Sequence, residues 1–63
     1  MNYREVVKIM LENGYHVKST NGSHVKFEKE GSVQIVIPNH NGKDICRKML
    51  KRLFKLANIK VEV

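Results

Sequence analysis

Cysteine, acidic side chains and long apolar runs are scarce in this 63-residue chain, and each scarcity excludes something. Cys46 is the only cysteine, so no intrachain disulfide can brace the fold, and a reducing, cytoplasmic setting fits best. The six carboxylates, Glu5, Glu12, Glu28, Glu30, Asp44 and Glu62, are scattered and offer no two-metal cluster of the kind many nucleases use. Three histidines and one cysteine without close paired spacing give no zinc motif, so neither metal nor other cofactor is expected. No uninterrupted apolar run exceeds three residues, as in Ile35-Val36-Ile37, whereas a membrane span needs about 20. The N-terminus has no signal-peptide apolar core, and the expectation is a soluble, unprocessed protein with no membrane partner. With no repeat, linker or low-complexity segment, residues 1–63 read as one domain. A chain this short buries only about 60% of the surface its unfolded form exposes, so its stability margin is expected to be small.

What is abundant is positive charge. Twelve Lys and Arg against six Asp and Glu leave a formal net charge of +6. From Lys43 to Lys60 there are seven basic residues and one acid, Asp44. A segment of this kind attracts polyanions by Coulomb forces and by release of their condensed counterions. A merely solubilising helix face accounts for the same composition equally well.

The pattern reads helix, three strands, helix. Asn2 is placed to cap a first helix with Glu5 at its third position, and Tyr3, Val6, Val7, Met10 and Leu11 recur on one side at helical spacing before Gly14 stops it. Tyr15–Ser19, His24–Lys29 and Ser32–Ile37 alternate as strands, with Asn21-Gly22-Ser23 and Glu30-Gly31 as turns, which predicts an antiparallel meander. A second helix, capped by Asp44, places Ile45, Cys46, Met49, Leu50, Leu53, Phe54, Leu56 and Ala57 on one half of a wheel. Arg47, Lys48, Lys51, Arg52 and Lys55 fill the other half. The expected fold is α+β, in the order α-β-β-β-α, with a three-stranded antiparallel sheet and both helices on one face. That face carries Tyr15, Val17, Val25, Phe27, Val33, Ile35 and Ile37; the open face carries His16, Lys18, His24, Lys26 and Gln34. The tail Ile59–Val63 alternates too, as an edge strand or a frayed end.

His24 is the residue on this frame best suited to chemistry. It heads the middle strand directly after a glycine turn and is two residues before Lys26, so a proton carrier and a phosphate-binding cation share the open face. RNA cleavage needs a base for the 2′-hydroxyl, charge stabilisation in the transition state and an acid for the departing 5′-oxygen, and histidine serves as base or acid. Taken alone, a strand histidine is more often an ordinary surface residue. His40, in the loop Pro38-Asn39-His40-Asn41-Gly42-Lys43, is a second proton carrier, a phosphate contact or a turn-stabilising side chain, the last slightly preferred. His16 reads as an exposed strand residue, Ser23 as a turn residue within reach of RNA, and Cys46 as a small buried thiol. The candidate RNA contacts are Lys18, Ser23, Lys26 and His40 on the sheet side, with Lys43, Arg47, Lys48 and Lys51 on the helix side.

Gly22-Ser23-His24 at the head of a middle strand, an apolar strand ending in Pro-X-His over Val33–His40, and a closing helix over Ile45–Ile59 together resemble the HicA family of toxins. The resemblance covers nearly the whole chain. It implies a reduced double-stranded-RNA-binding-domain fold and His24 as the catalytic residue. It further implies a ribosome-independent messenger-RNA endonuclease that arrests translation and is held inactive by a HicB-type antitoxin. Many members have Gly-Thr where this chain has Arg47-Lys48, and a glycine where it has Asn58. Two other classes of function remain open beside this one. The chain is either a non-catalytic RNA-binding module, which lacks a strand-borne aromatic pair and so binds backbones in a salt-dependent way, or a small subunit whose open sheet face docks a protein.

Overall fold

The computed structural model describes residues 1–39 and 43–61. Its elements run α1 (Tyr3–Glu12), β1 (His16–Asn21), β2 (His24–Glu28), β3 (Ile35–Pro38) and α2 (Arg47–Leu56). The strands form one antiparallel sheet in the order β1-β2-β3, which is the expected α+β arrangement. Val6 and Met10 of α1, Leu50, Leu53 and Phe54 of α2, and Val25, Phe27, Ile35 and Ile37 of the sheet belong to one buried cluster. Both helices therefore cover the same sheet face. Burial of those side chains is the main force holding so small a chain together.

Local signals set the helix ends. The Asn2 side chain accepts the Glu5 N–H at 2.9 Å while Glu5 Oε1 accepts the Asn2 N–H at 3.1 Å, a complete capping box. Both helices stop in the same way. After α1, Gly14 takes φ +86°, its N–H donates to the Leu11 carbonyl, and the Tyr15 N–H donates to the Met10 carbonyl. After α2, Asn58 takes φ +57°, donating to Lys55, and Ile59 donates to Phe54. These paired bonds are Schellman motifs, each followed by a buried side chain, Tyr15 or Ile59.

Four expectations are corrected. Asp44 does not cap α2: it pairs with Asn2 in an isolated antiparallel bridge, the Ile45 N–H donates to the Met1 carbonyl at 2.8 Å, and this ties the segment to the N-terminus in extended form. The helix starts only at Arg47, with Cys46 as an N-cap that makes no side-chain bond. Cys46 is exposed, not buried, and so are Met49 and Leu56, which stand at the margin of the apolar arc. Strict alternation in β1 fails because the register shifts between Val17↔Phe27 and Ser19↔Lys26, leaving Lys18 as an extra, bulged residue. Past the bulge, Ser19 and Asn21 join the open face, and Val17, on an edge strand, stays half-exposed. Val33 and Gln34 precede β3 instead of belonging to it; the Val33 carbonyl accepts the Tyr15 hydroxyl at 3.3 Å while its side chain faces solvent. In the tail, Ile59 is buried but residues 59–61 form no strand, and Glu62 and Val63 lie outside the described residues.

Candidate functional site

The position of His24 is built from three local restraints. Asn21 and His24 are paired across β1 and β2, so Gly22 and Ser23 form a two-residue hairpin loop. Gly22 has φ +63° and Ser23 does not have a positive φ, the pattern of a II′ turn, which matches the twist of the strands it joins. The Asn39 N–H then donates to the Ser23 carbonyl at 2.6 Å, fastening the turn to the end of β3. His24 itself stands opposite Pro38 in the β2–β3 register. It is thus the first residue of the central strand, held from both sides, with its ring exposed on the open face.

Two depressions meet at this ring. One, of about 260 Å³, is lined by Ser19, Asn21, His24, Lys26 and Val36 and lies on the sheet itself. The other, of about 270 Å³, lies where α2 meets β3 and is lined by His24, Val36, Pro38, Met49, Arg52 and Leu53. A third, of about 400 Å³, continues along α2 between Cys46, Lys48, Met49 and Arg52. His24 therefore shares one depression with a cation of its own strand, Lys26, and the other with a cation of the helix, Arg52.

The two described histidines differ in their surroundings. His16 Nε2 lies 3.1 Å from Glu28 Oε1, and Lys18 Nζ lies 3.6 Å from the other oxygen of the same carboxylate. The hydrogen bond to His16, with Lys18 nearby, holds the Glu28 carboxyl below its ordinary value. Among the described residues His24 has no such carboxylate partner. An imidazole not engaged by an acid is available to a substrate.

The remaining candidates are dispersed. Ser23 and Lys26 lie next to His24. Lys18 projects from the bulge toward Glu28, so its charge is partly compensated. Lys43 is exposed, and His40 lies outside the described residues. At about 100° per residue, Lys48 falls on the flank of α2 that carries Met49 and Arg52, whereas Arg47 and Lys51 fall on the opposite flank. Arg52 was not among the expected contacts. Its spacing of three from Met49 and four from Lys48 placed it on that flank, but only the packing of α2 against β3 reveals which flank meets His24. Among the described residues no three His, Cys, Asp or Glu side chains converge as a metal site, and no helix is long and apolar enough to cross a membrane.

These features define a class, small basic α+β proteins with an exposed proton carrier at the head of the central strand. The family model described as the HicA toxin of bacterial toxin–antitoxin systems matches residues 3–59, a span containing both helices and all three strands. The chain belongs to the HicA toxin family and is a toxin of a toxin–antitoxin system, a class that pairs with an antitoxin. No curated protein and no solved structure matches it.

Proposed function

We propose that this toxin is a metal-independent endoribonuclease that cleaves messenger RNA and so arrests translation. The observation that carries the reading is the exposed His24 ring at the junction of two open depressions, one lined by Lys26 and the other by Arg52. In the reaction a base takes the proton of a ribose 2′-hydroxyl, and the oxygen attacks the adjacent phosphorus. The 5′-oxygen leaves with a proton, giving a 2′,3′-cyclic phosphate and a free 5′-hydroxyl. His24 performs one of these two proton transfers, and the neighbouring cations stabilise the extra negative charge of the transition state.

Ser23 and Lys26 contact the RNA next to the scissile bond. Lys18, Lys43 and Lys48 extend the track, His40 is a further contact with the RNA, and Arg47 and Lys51 reach flanking phosphates beyond the other side of α2. The partner that restrains the toxin is a HicB-type antitoxin, which covers His24 and offsets the excess positive charge. A complex that leaves His24 accessible to solvent would refute this part of the reading.

The deciding experiment is cleavage of a long unstructured RNA in excess EDTA by the parent and by His24→Ala, both shown to be folded by circular dichroism. Cleavage by the parent and a loss of at least about 100-fold in the variant is expected, the usual size of a general acid–base contribution. Equal cleavage by both removes His24 from the mechanism. Binding without cleavage by either makes the protein a non-catalytic RNA-binding module.

A further inference from the structure

Val36 and Met49 are each 42% exposed, two of the six large apolar side chains left open among the described residues, beside Leu11, Val17, Val33 and Leu56. They come from different elements, β3 and α2, yet line the same depression beside His24. Beneath them lie Pro38 and Leu53, both buried, so the floor and walls of this cleft are apolar. Its rim is not: His24 stands at one side and Arg52 at another. Lys26, which lines the adjoining depression together with Val36, adds a further cation two residues along the strand from His24.

We infer that this cleft is a nucleobase subsite: it receives one unstacked base of single-stranded RNA, next to the phosphate that His24 addresses. The inference rests on the ribonuclease reading and specifies its substrate. Three observations favour a base over other occupants. The cleft's volume of about 270 Å³ lies just below the roughly 300 Å³ at which drug-sized ligand sites begin, which suits one planar ring system. Its chemistry, an apolar bed under a cationic rim, matches a nucleotide, whose base is planar and weakly polar while its phosphate is an anion. Recognition of single strands elsewhere combines these two elements, a positively charged track and side chains on which bases rest. Finally, the same depression is lined by His24 and Arg52, so a base resting on Val36 and Met49 has the site of the proposed chemistry within the same cleft.

The subsite carries a consequence for substrate form. In an A-form duplex every base is stacked and paired, so none can enter the cleft without being extruded. Cleavage is therefore confined to unpaired segments. Arg52 is the cation that fixes the phosphate of the seated nucleotide.

The test uses methyl-labelled parent protein and a 2′-O-methyl dinucleotide, which cannot be cleaved. Ring-current shifts of the Met49 and Val36 methyl signals are expected with the dinucleotide and absent with its abasic counterpart, which keeps the phosphate and riboses. Equal shifts with both compounds, or none with either, overturn the subsite. Shifts that appear only on adding the antitoxin assign the cleft to a protein side chain and overturn it too. A second arm compares cleavage at a mapped bond in a single-stranded RNA with the same RNA abasic on either side of that bond. A loss of about tenfold or more is expected at one side, and the loss should shrink to near unity in Met49→Gln, which keeps the side-chain length and the helix. If the methyl signals respond but no RNA is cleaved, the subsite stands and the ribonuclease reading falls. If cleavage is normal and indifferent to the missing base, the reverse holds.

Discussion

Gly22 governs the direction in which His24 points, because its positive φ lets β2 begin immediately after a two-residue loop. A Cβ at this position would meet nothing within 4 Å, so the objection to a larger residue is conformational and not steric. Gly22→Ala is expected to cost about 1–2 kcal/mol, the strain of a left-handed L-residue, read as a lower urea midpoint. D-alanine at the same position, introduced by chemical synthesis, should be tolerated. Glu28 supplies a second residue-scale outcome. Its carboxyl is depressed chiefly by the His16 hydrogen bond and secondarily by Lys18. Whatever stability this exposed pair adds is present above the ordinary value of 4.5 and fades as pH falls through the lower folded value. The Glu28 carboxyl followed by carbon NMR should titrate below 4.5 in the parent and move upward in His16→Ala. At this scale the sequence was legible where the signal is local. The glycine turn announced His24, and Asn2 with Glu5 announced a cap; the exposure of Cys46 and the bulge at Lys18 were not written in alternation or periodicity, because both depend on what pairs with the segment.

Among the elements, α2 has an unsatisfied start and a well-made end. Cys46 at its N-cap accepts no backbone N–H, whereas Ser at that position can bond the N–H two or three residues on. Cys46→Ser is expected to stabilise the fold by about 0.5–1 kcal/mol, measured by urea denaturation. Asn2→Ala should do the opposite at α1, costing about 1 kcal/mol through loss of the capping box. Asn58 occupies the left-handed position at which many members of the family carry glycine, and asparagine is among the few other residues that adopt it readily. The departure from the family pattern is thus absorbed by the same Schellman geometry. Element types and order could be read from periodicity, turn residues and caps. The start of α2 could not, since Asp44 has the right chemistry for a cap but is drawn into a bridge with Asn2 by tertiary structure. Nor does a wheel tell which flank of an amphipathic helix lies beside the site, so the place of Arg52 next to His24 is legible only in the fold.

For the whole molecule, the net charge of +6 sets how the surface responds to salt. If about four phosphates are neutralised on a single strand, the logarithmic slope of affinity with salt is about −3, and raising salt from 50 to 200 mM should weaken RNA binding roughly 50-fold. Fluorescence anisotropy with a labelled single-stranded RNA measures this slope, and a slope near zero would favour the docking of a protein over RNA. The same fold also has a temporal aspect. The Ile45 N–H bonds the Met1 carbonyl, Asn2 pairs with Asp44, and one wall of the cleft comes from α2, which follows the sheet along the chain. These are contacts of long sequence separation, which form late because their loops must close first. A ribosome that has released only α1 and the sheet therefore carries an incomplete cleft, with Val36 and Pro38 but no Met49, Arg52 or Leu53. Assembly of the site on the nascent chain waits for α2 to emerge.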